Sequence, residues 1–112
     1  MELTTQTYQD VSVVVISGRF DAQQVSEVRG LMESITVQTA NVVVDLHDVN
    51  FMDSAALAAL VQAMKHCRQS QGDLRVCNLQ QPVKVIFELT RLDKAFKIYP
   101  SVAEAVASYR DR

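Results

Sequence analysis

Four residues around one strand-to-helix junction have the types and spacing to do chemistry. They are Asp45, Asp48, Asp53 and Ser54, within Asp45-Leu46-His47-Asp48-Val49-Asn50-Phe51-Met52-Asp53-Ser54-Ala55-Ala56-Leu57. The N-terminal end of a helix dipole favours a carboxylate or a phosphate. A phosphoryl group would add roughly −1.5 to −2 charges there, so the junction suits a charge-based switch. Asp53 or Ser54 can cap the helix by accepting from its unpaired first-turn N–H groups. As a phosphoacceptor Ser54 has a weaker claim than as a plain cap. Of Asp21, Asp48 and Asp53, Asp48 has the weakest claim.

Other chemistry finds little support. The three glycines of the chain form neither a Gly-x-Gly array nor a Walker loop, so no nucleotide cradle and no cofactor are expected. His47 and His66 are far apart, and Cys67 and Cys77 do not make a Cys-x-x-Cys pair, so no zinc site is expected. Both cysteines read as small core residues. His47, beside Asp48, reads as a solvated loop residue. No convergent acid, base and nucleophile point to an enzyme.

The elements that must position the junction follow from periodicity. Val42-Val43-Val44 is a β-branched run suited to a strand buried on both faces, among parallel neighbours. After it, a helix over about Ser54 to Gln69 places Leu57, Leu60, Val61 and Met64 on one core-facing stripe. Ala55, Ala58, Ala59 and Ala63 project elsewhere; they either leave a flat surface that a partner could approach closely or serve only as good helix formers.

Upstream, Leu3 to Tyr8 and Val11 to Ser17 read as strands, the second ended by Gly18. Asp21 caps a helix with Val25, Val28, Met32 and Ile35 at helical spacing, and Gly30 inside it costs up to about 1 kcal/mol relative to alanine. Gly72 turns the chain into a strand over Leu74 to Leu79. Pro82 opens a third helix, in whose first turn its missing N–H is no loss, and Val83, Ile86 and Phe87 form the buried side of that helix. Phe96 to Tyr99 reads as a short strand. Ser101-Val102-Ala103-Glu104 is a capping box that opens a last helix, with Val102, Ala105, Val106 and Tyr109 inward. The order ββαβαβαβα predicts an α/β fold with a mixed central sheet and about four helices.

Composition sets the class. The 112 residues are 48% hydrophobic with a formal charge of −2, which predicts one domain over 1–112 with its own core and no disulfide staple. The start Met1-Glu2-Leu3-Thr4 lacks the pattern of a signal peptide, and no apolar run approaches the roughly 18 residues that span a bilayer, so a cytoplasmic location is expected. Basic residues are scattered with no stripe to track a phosphate backbone, which argues against direct nucleic-acid binding.

Phe51-Met52-Asp53-Ser54 before a small-residue helix resembles the signature of the STAS domain, shared by sulphate transporters and anti-sigma factor antagonists. Gly18-Arg19-Phe20-Asp21 and the stretch from Phe87-Glu88-Leu89-Thr90-Arg91 to Ile98-Tyr99-Pro100-Ser101 resemble the stand-alone bacterial antagonists in order and spacing. The resemblance covers roughly residues 3 to 110. It implies a protein–protein docking face made by the loop after the second strand and the start of the second helix. On this chain that face would comprise Asp21, Asp53, Ser54, Ala55, Leu57 and Ala58. The implied partner is an anti-sigma factor of the histidine-kinase-like ATPase type. The alternative is a small cytoplasmic STAS subunit of a lipid or solute ABC transporter. The oligomeric state is left open, with a homodimer among the options.

One departure stands out. The resemblance places the regulatory phosphoacceptor hydroxyl two residues after Asp53, where this chain has Ala55, and the glycine usual next to it is Ala56. An alanine methyl cannot take a phosphoryl group. Three readings follow: a permanently unphosphorylated, binding-competent antagonist, which is favoured; use of the neighbouring Ser54, about 100° away around the helix; or an engineered alanine. The family also often closes the third helix with glycine where Arg91 stands, so Arg91 must either strain that cap or end the helix in another geometry.

Overall fold

The computed structural model describes residues 2–110. Five strands form one sheet in the order β1-β2-β3-β4-β5: Glu2–Tyr8, Val11–Ser17, Asn41–Asp48, Asp73–Cys77 and Ile98–Tyr99. β1 pairs antiparallel with β2, while β2, β3, β4 and β5 are mutually parallel. The helices are α1 (Val25–Thr36), α2 (Ser54–Gln69), α3 (Gln81–Leu89), α4 (Leu92–Ala95) and α5 (Val102–Ala107). The mixed sheet and the element order match the sequence reading. The single-turn α4 is additional, and β4 and β5 are shorter than expected.

Alternation along the strands sorts the side chains into two cores. Val14, Ile16, Val42, Val44, Leu46, Leu74 and Val76 face α1, α2 and α3, meeting Val28, Met32, Leu57, Leu60, Met64, Val83 and Phe87. Val11, Val13, Val43 and Cys77 face the opposite way and are covered by Ala105 and Tyr109 at the α5 end of the chain. β3 is therefore apolar on both faces, which is why it reads as a continuous valine run. Leu57, Leu60 and Met64 are buried, and each such side chain stabilises the fold by roughly 1.5–3 kcal/mol, which seats α2 firmly on the sheet.

Several local expectations change once the neighbours are in place. Ala59 is buried, and Ala63 packs partly buried against the larger core; both line a cleft with Val28 and Met32 of α1. Their small side chains let α1 lie close to α2, and they form no open surface. Phe96 precedes β5 and is buried, its ring 5.6 Å from that of Phe87. The turn after α2 runs through Gln71, in the left-handed region at φ 67°, into Gly72. Gly72 is needed for a different reason: a Cβ on it would lie 2.1 Å from the carbonyl oxygen of Ala40. Arg91 takes the left-handed geometry that a capping glycine would, at φ 64° and ψ 13°, so it strains that cap and does not end the helix in another geometry.

Asp45, one of the four residues picked out around the junction, lies within β3 and is buried; Asp48 is the last residue of the same strand. The Asp45 carboxylate accepts from the His47 amide at 3.0 Å and from Asn78 Nδ2 at 3.0 Å, and lies 3.1 Å from His47 Nδ1. His47 is solvated as expected, but its carboxylate partner is Asp45, not Asp48. Burial pushes the Cys67 thiol up to about 11 and the Cys77 thiol up to about 12, with the charges of Asp73 and Asp45 adding to the respective shifts. Both therefore remain protonated at neutral pH, in keeping with a core role.

Candidate docking site

The C-terminal ends of β2 and β3 are fastened beyond their ladder. Gly18 N–H donates to Asp48 O at 2.9 Å, Phe20 N–H to Phe51 O at 3.2 Å, and Phe20 and Met52 form an isolated parallel bridge. Phe20 and Met52 are both buried, so apolar anchors pin each loop on either side of the polar residues. That brings Arg19 and Asp21 on one loop beside Phe51 and Asp53 on the other.

Asp53 is the N-cap of α2, which decides between the two candidate caps. Its Oδ1 accepts from the Ala56 amide at 2.9 Å, and its Oδ2 accepts from the Ala22 amide at 2.9 Å. One carboxylate thus joins the first turn of α2 to a 3-10 turn at Ala22–Gln24. The Ala56 hydrogen bond is the largest influence on its acidity; burial opposes it, and the Ala22 and Ala55 amides and the Arg19 charge assist it. The net result holds the carboxyl below its ordinary value of 3.8, so Asp53 is ionised at neutral pH.

Asp21 caps the 3-10 turn through a reciprocal box. Its Oδ1 accepts from the Gln23 amide at 3.0 Å, and Gln24 Oε1 accepts from the Asp21 amide at 3.1 Å. Arg19 Nε donates to Asp21 Oδ2 at 2.7 Å, and its guanidinium carbon lies 3.8 Å from the centre of the Phe51 ring. Asp21 and Asp53 therefore do share one corner. Every one of their four oxygens already holds one hydrogen bond, so an incoming cation would use a remaining lone pair, not a free oxygen.

The remaining sequence-picked residues separate by exposure. Ser54 and Ala58 are exposed and Ala55 is half-buried, so these three line the open side of the α2 start. Leu57 is only 8% exposed and belongs to the core, which removes it from the open face. The reason is angular: the stripe that carries Leu60 and Met64 inward carries Leu57 with it. Two residues not singled out before join the site. Arg19, with 63% of its side chain exposed, and Phe51 form a stacked cationic rim. The Gly-Arg-Phe-Asp segment carried the only signal for Arg19, and nothing local paired it with Phe51, which lies 32 positions later.

Among the described residues no three His, Cys, Asp or Glu side chains gather as metal ligands would. Nor, among them, is any helix long and apolar enough to cross a membrane.

The mixed-sheet α/β unit thus presents a helix N-terminus, a fixed carboxylate and an arginine together at one end. The chain belongs to the STAS domain family, whose profile matches residues 2–105. It is similar to the anti-sigma F factor antagonist of Paenibacillus polymyxa, 26% identical over 108 residues that cover 95% of this chain and 92% of that relative. It is also similar to the anti-sigma-B factor antagonist of Listeria monocytogenes, 31% identical over 86 residues that cover 76% of this chain and 75% of the relative. Among solved structures, an anti-sigma factor antagonist from Mycobacterium paratuberculosis superposes with a TM-score of 0.88 at 25% identity, covering 98% of this chain and 94% of that one.

Proposed function

We propose that this chain is an anti-sigma factor antagonist that docks the open side of the α2 N-terminus onto an anti-sigma factor of the histidine-kinase-like ATPase type, and so frees a sigma factor by competitive binding. The observation that carries this reading is the Asp53 carboxylate held between two elements with Ser54, Ala55 and Ala58 beside it on an accessible face. A preorganised corner of this kind loses little conformational freedom on binding. Its charges, Arg19 against Asp21 and Asp53, give a partner both signs to complement.

Regulation differs from that of a phosphorylatable relative. There a phosphate on the α2 start would place roughly −1.5 to −2 charges beside an ionised aspartate and repel an acidic or closely packed partner face. Ala55 offers no oxygen to modify, so docking persists in the presence of ATP. Ser54 acts as the first helical residue, with no part in the switch. The protein turns over no substrate of its own and acts in the cytoplasm.

Affinity capture from extracts of the source cells, with ATP or ADP added, tests this directly. Recovery of a histidine-kinase-like ATPase under both nucleotides, with no phosphate on Ser54 by intact mass, is the expected result. Recovery of membrane-transport subunits instead, or stoichiometric phosphate on Ser54, would overturn it.

A further inference from the structure

The two edges of the sheet are built differently. β5 is an edge of two residues, too short to template another strand. β1 is an edge of seven residues, paired with β2 along its whole length in unbroken register. Its other side presents a row of backbone N–H and C=O groups with no strand beside them. Few of the devices that usually blunt such an edge are present: Glu2-Leu3-Thr4-Thr5-Gln6-Thr7-Tyr8 has one charge, Glu2 at its end, no lysine, arginine, proline or glycine, and a pairing without a bulge.

Its side chains are self-complementary under a two-fold axis. The register opposes Thr4, Gln6 and Tyr8 to Val15, Val13 and Val11, so the even-numbered residues, Glu2 included, lie on the α5 face of the sheet. If a second β1 runs antiparallel with Thr5 opposite Thr5, then Thr4 meets Gln6 and Glu2 meets Tyr8, always on matching faces. Tyr8 is 46% exposed and lines a groove of about 430 Å³ with Val102, Val106 and Arg110. Arg110 is held at that end of the strand by a 2.9 Å hydrogen bond from its Nε to Gln9 Oε1. Glu2 makes no ion pair among the described residues. The two-fold operation therefore delivers an acid at one end of each strand to a base at the opposite end of the other, twice per pair.

We propose that the outer edge of β1 is a homodimer interface: two copies pair β1 antiparallel about Thr5, Glu2 of each copy meets Arg110 of the other, and one ten-stranded sheet results. This assignment is separate from the α2 docking face and goes beyond it.

Sedimentation velocity of the full chain over a concentration series extending into the millimolar range is the test. A monomer–dimer equilibrium is expected. Thr5→Lys places two like charges opposite each other across the axis and should raise the dissociation constant about fivefold. Glu2→Arg turns two attractions into two repulsions and should raise it about tenfold, while adding Arg110→Glu to it should restore the wild-type value. A wild-type chain that stays monomeric throughout, or a dimer indifferent to both substitutions, would overturn the proposal. Should Thr5→Lys lose its far-UV circular dichroism, the charge reversal decides alone: rescue supports the pairing and absence of rescue contradicts it.

Discussion

At the start of α2, Asp53 and Asp21 share a solvent-facing corner with Arg19; near its end, Asp73 and Arg75 form a corner in which both side chains are largely buried. The second corner is densely hydrogen-bonded. Asp73 Oδ1 accepts from Arg68 Nε at 2.9 Å and from the Leu74 amide at 2.9 Å, while Oδ2 accepts from Arg75 Nε at 3.1 Å. The Arg75 side chain is 9% exposed, donates to Ser108 Oγ at 2.6 Å, and lies with its guanidinium carbon 4.0 Å from the Tyr109 ring centre. The Tyr109 hydroxyl lies 2.6 Å from Val42 O and 2.8 Å from Asp73 O, joining the segment after α5 to β3 and β4. The same acid–base chemistry is thus largely buried in one corner and open to solvent in the other, where the Arg19 side chain is 63% exposed. A buried pair is costly to break, whereas an exposed one is cheap to rearrange around a partner.

The largest effect should come from breaking the closed corner. Asp73→Ala strands the Arg75 guanidinium in a nearly dry site and should lower unfolding stability by about 3–5 kcal/mol, read by urea denaturation. A loss below about 1 kcal/mol would erase the contrast drawn between the corners. Tyr109→Phe keeps the ring under Arg75 but removes the hydroxyl from two buried carbonyls, and should cost about 1–3 kcal/mol by the same measurement. Its stacking is preserved, so it separates the hydrogen bonds from the cation–π contact.

Arg91→Gly lies outside both corners and calibrates them. Relieving a non-glycine residue at φ 64° should stabilise the chain by roughly 0.5–1 kcal/mol, visible as a raised melting temperature.

The smallest effect belongs to the open corner. The Asp53 carboxyl is held below 3.8 in the folded chain, so its contribution is complete above the unfolded value and is lost as pH falls through the lower folded value. The Ala56 and Ala22 amide resonances should therefore titrate with a midpoint below 3.8, and Asp53→Asn should abolish that transition. A midpoint above 3.8 would contradict the hydrogen-bonded geometry.

The two corners were also unequally legible in the sequence. The start of α2 announces itself locally: a β-branched run, a capping aspartate and a helix of alanines and leucines lie consecutively, so the junction could be placed from residues 42 to 69 alone. Asp73 and Arg75 alternate in a strand and so share a face, but the reason they are buried is Tyr109, brought there by α5 packing on the back of the sheet. No periodicity within β4 encodes that. Ala59 and Ala63 fail the same way, because a helical wheel shows which side is small but not that α1 lies on it. Leu57 illustrates the converse: its spacing with Leu60 and Met64 already argued for the core, and the packing follows the spacing rather than the resemblance. Arg19 over Phe51 joins two loops and needed the Phe20–Met52 bridge to bring them together.

The central claim is that the open side of the α2 N-terminus is the surface that binds. Isothermal titration of the wild-type chain and of Ala58→Arg against the ATPase-type anti-sigma factor tests it most directly, since Ala58 is exposed and its substitution leaves the Asp53 hydrogen bonds untouched. An affinity at least about tenfold weaker for Ala58→Arg, at an unchanged melting temperature, is the predicted result. Equal affinities for the two proteins would place the docking surface elsewhere and contradict the account.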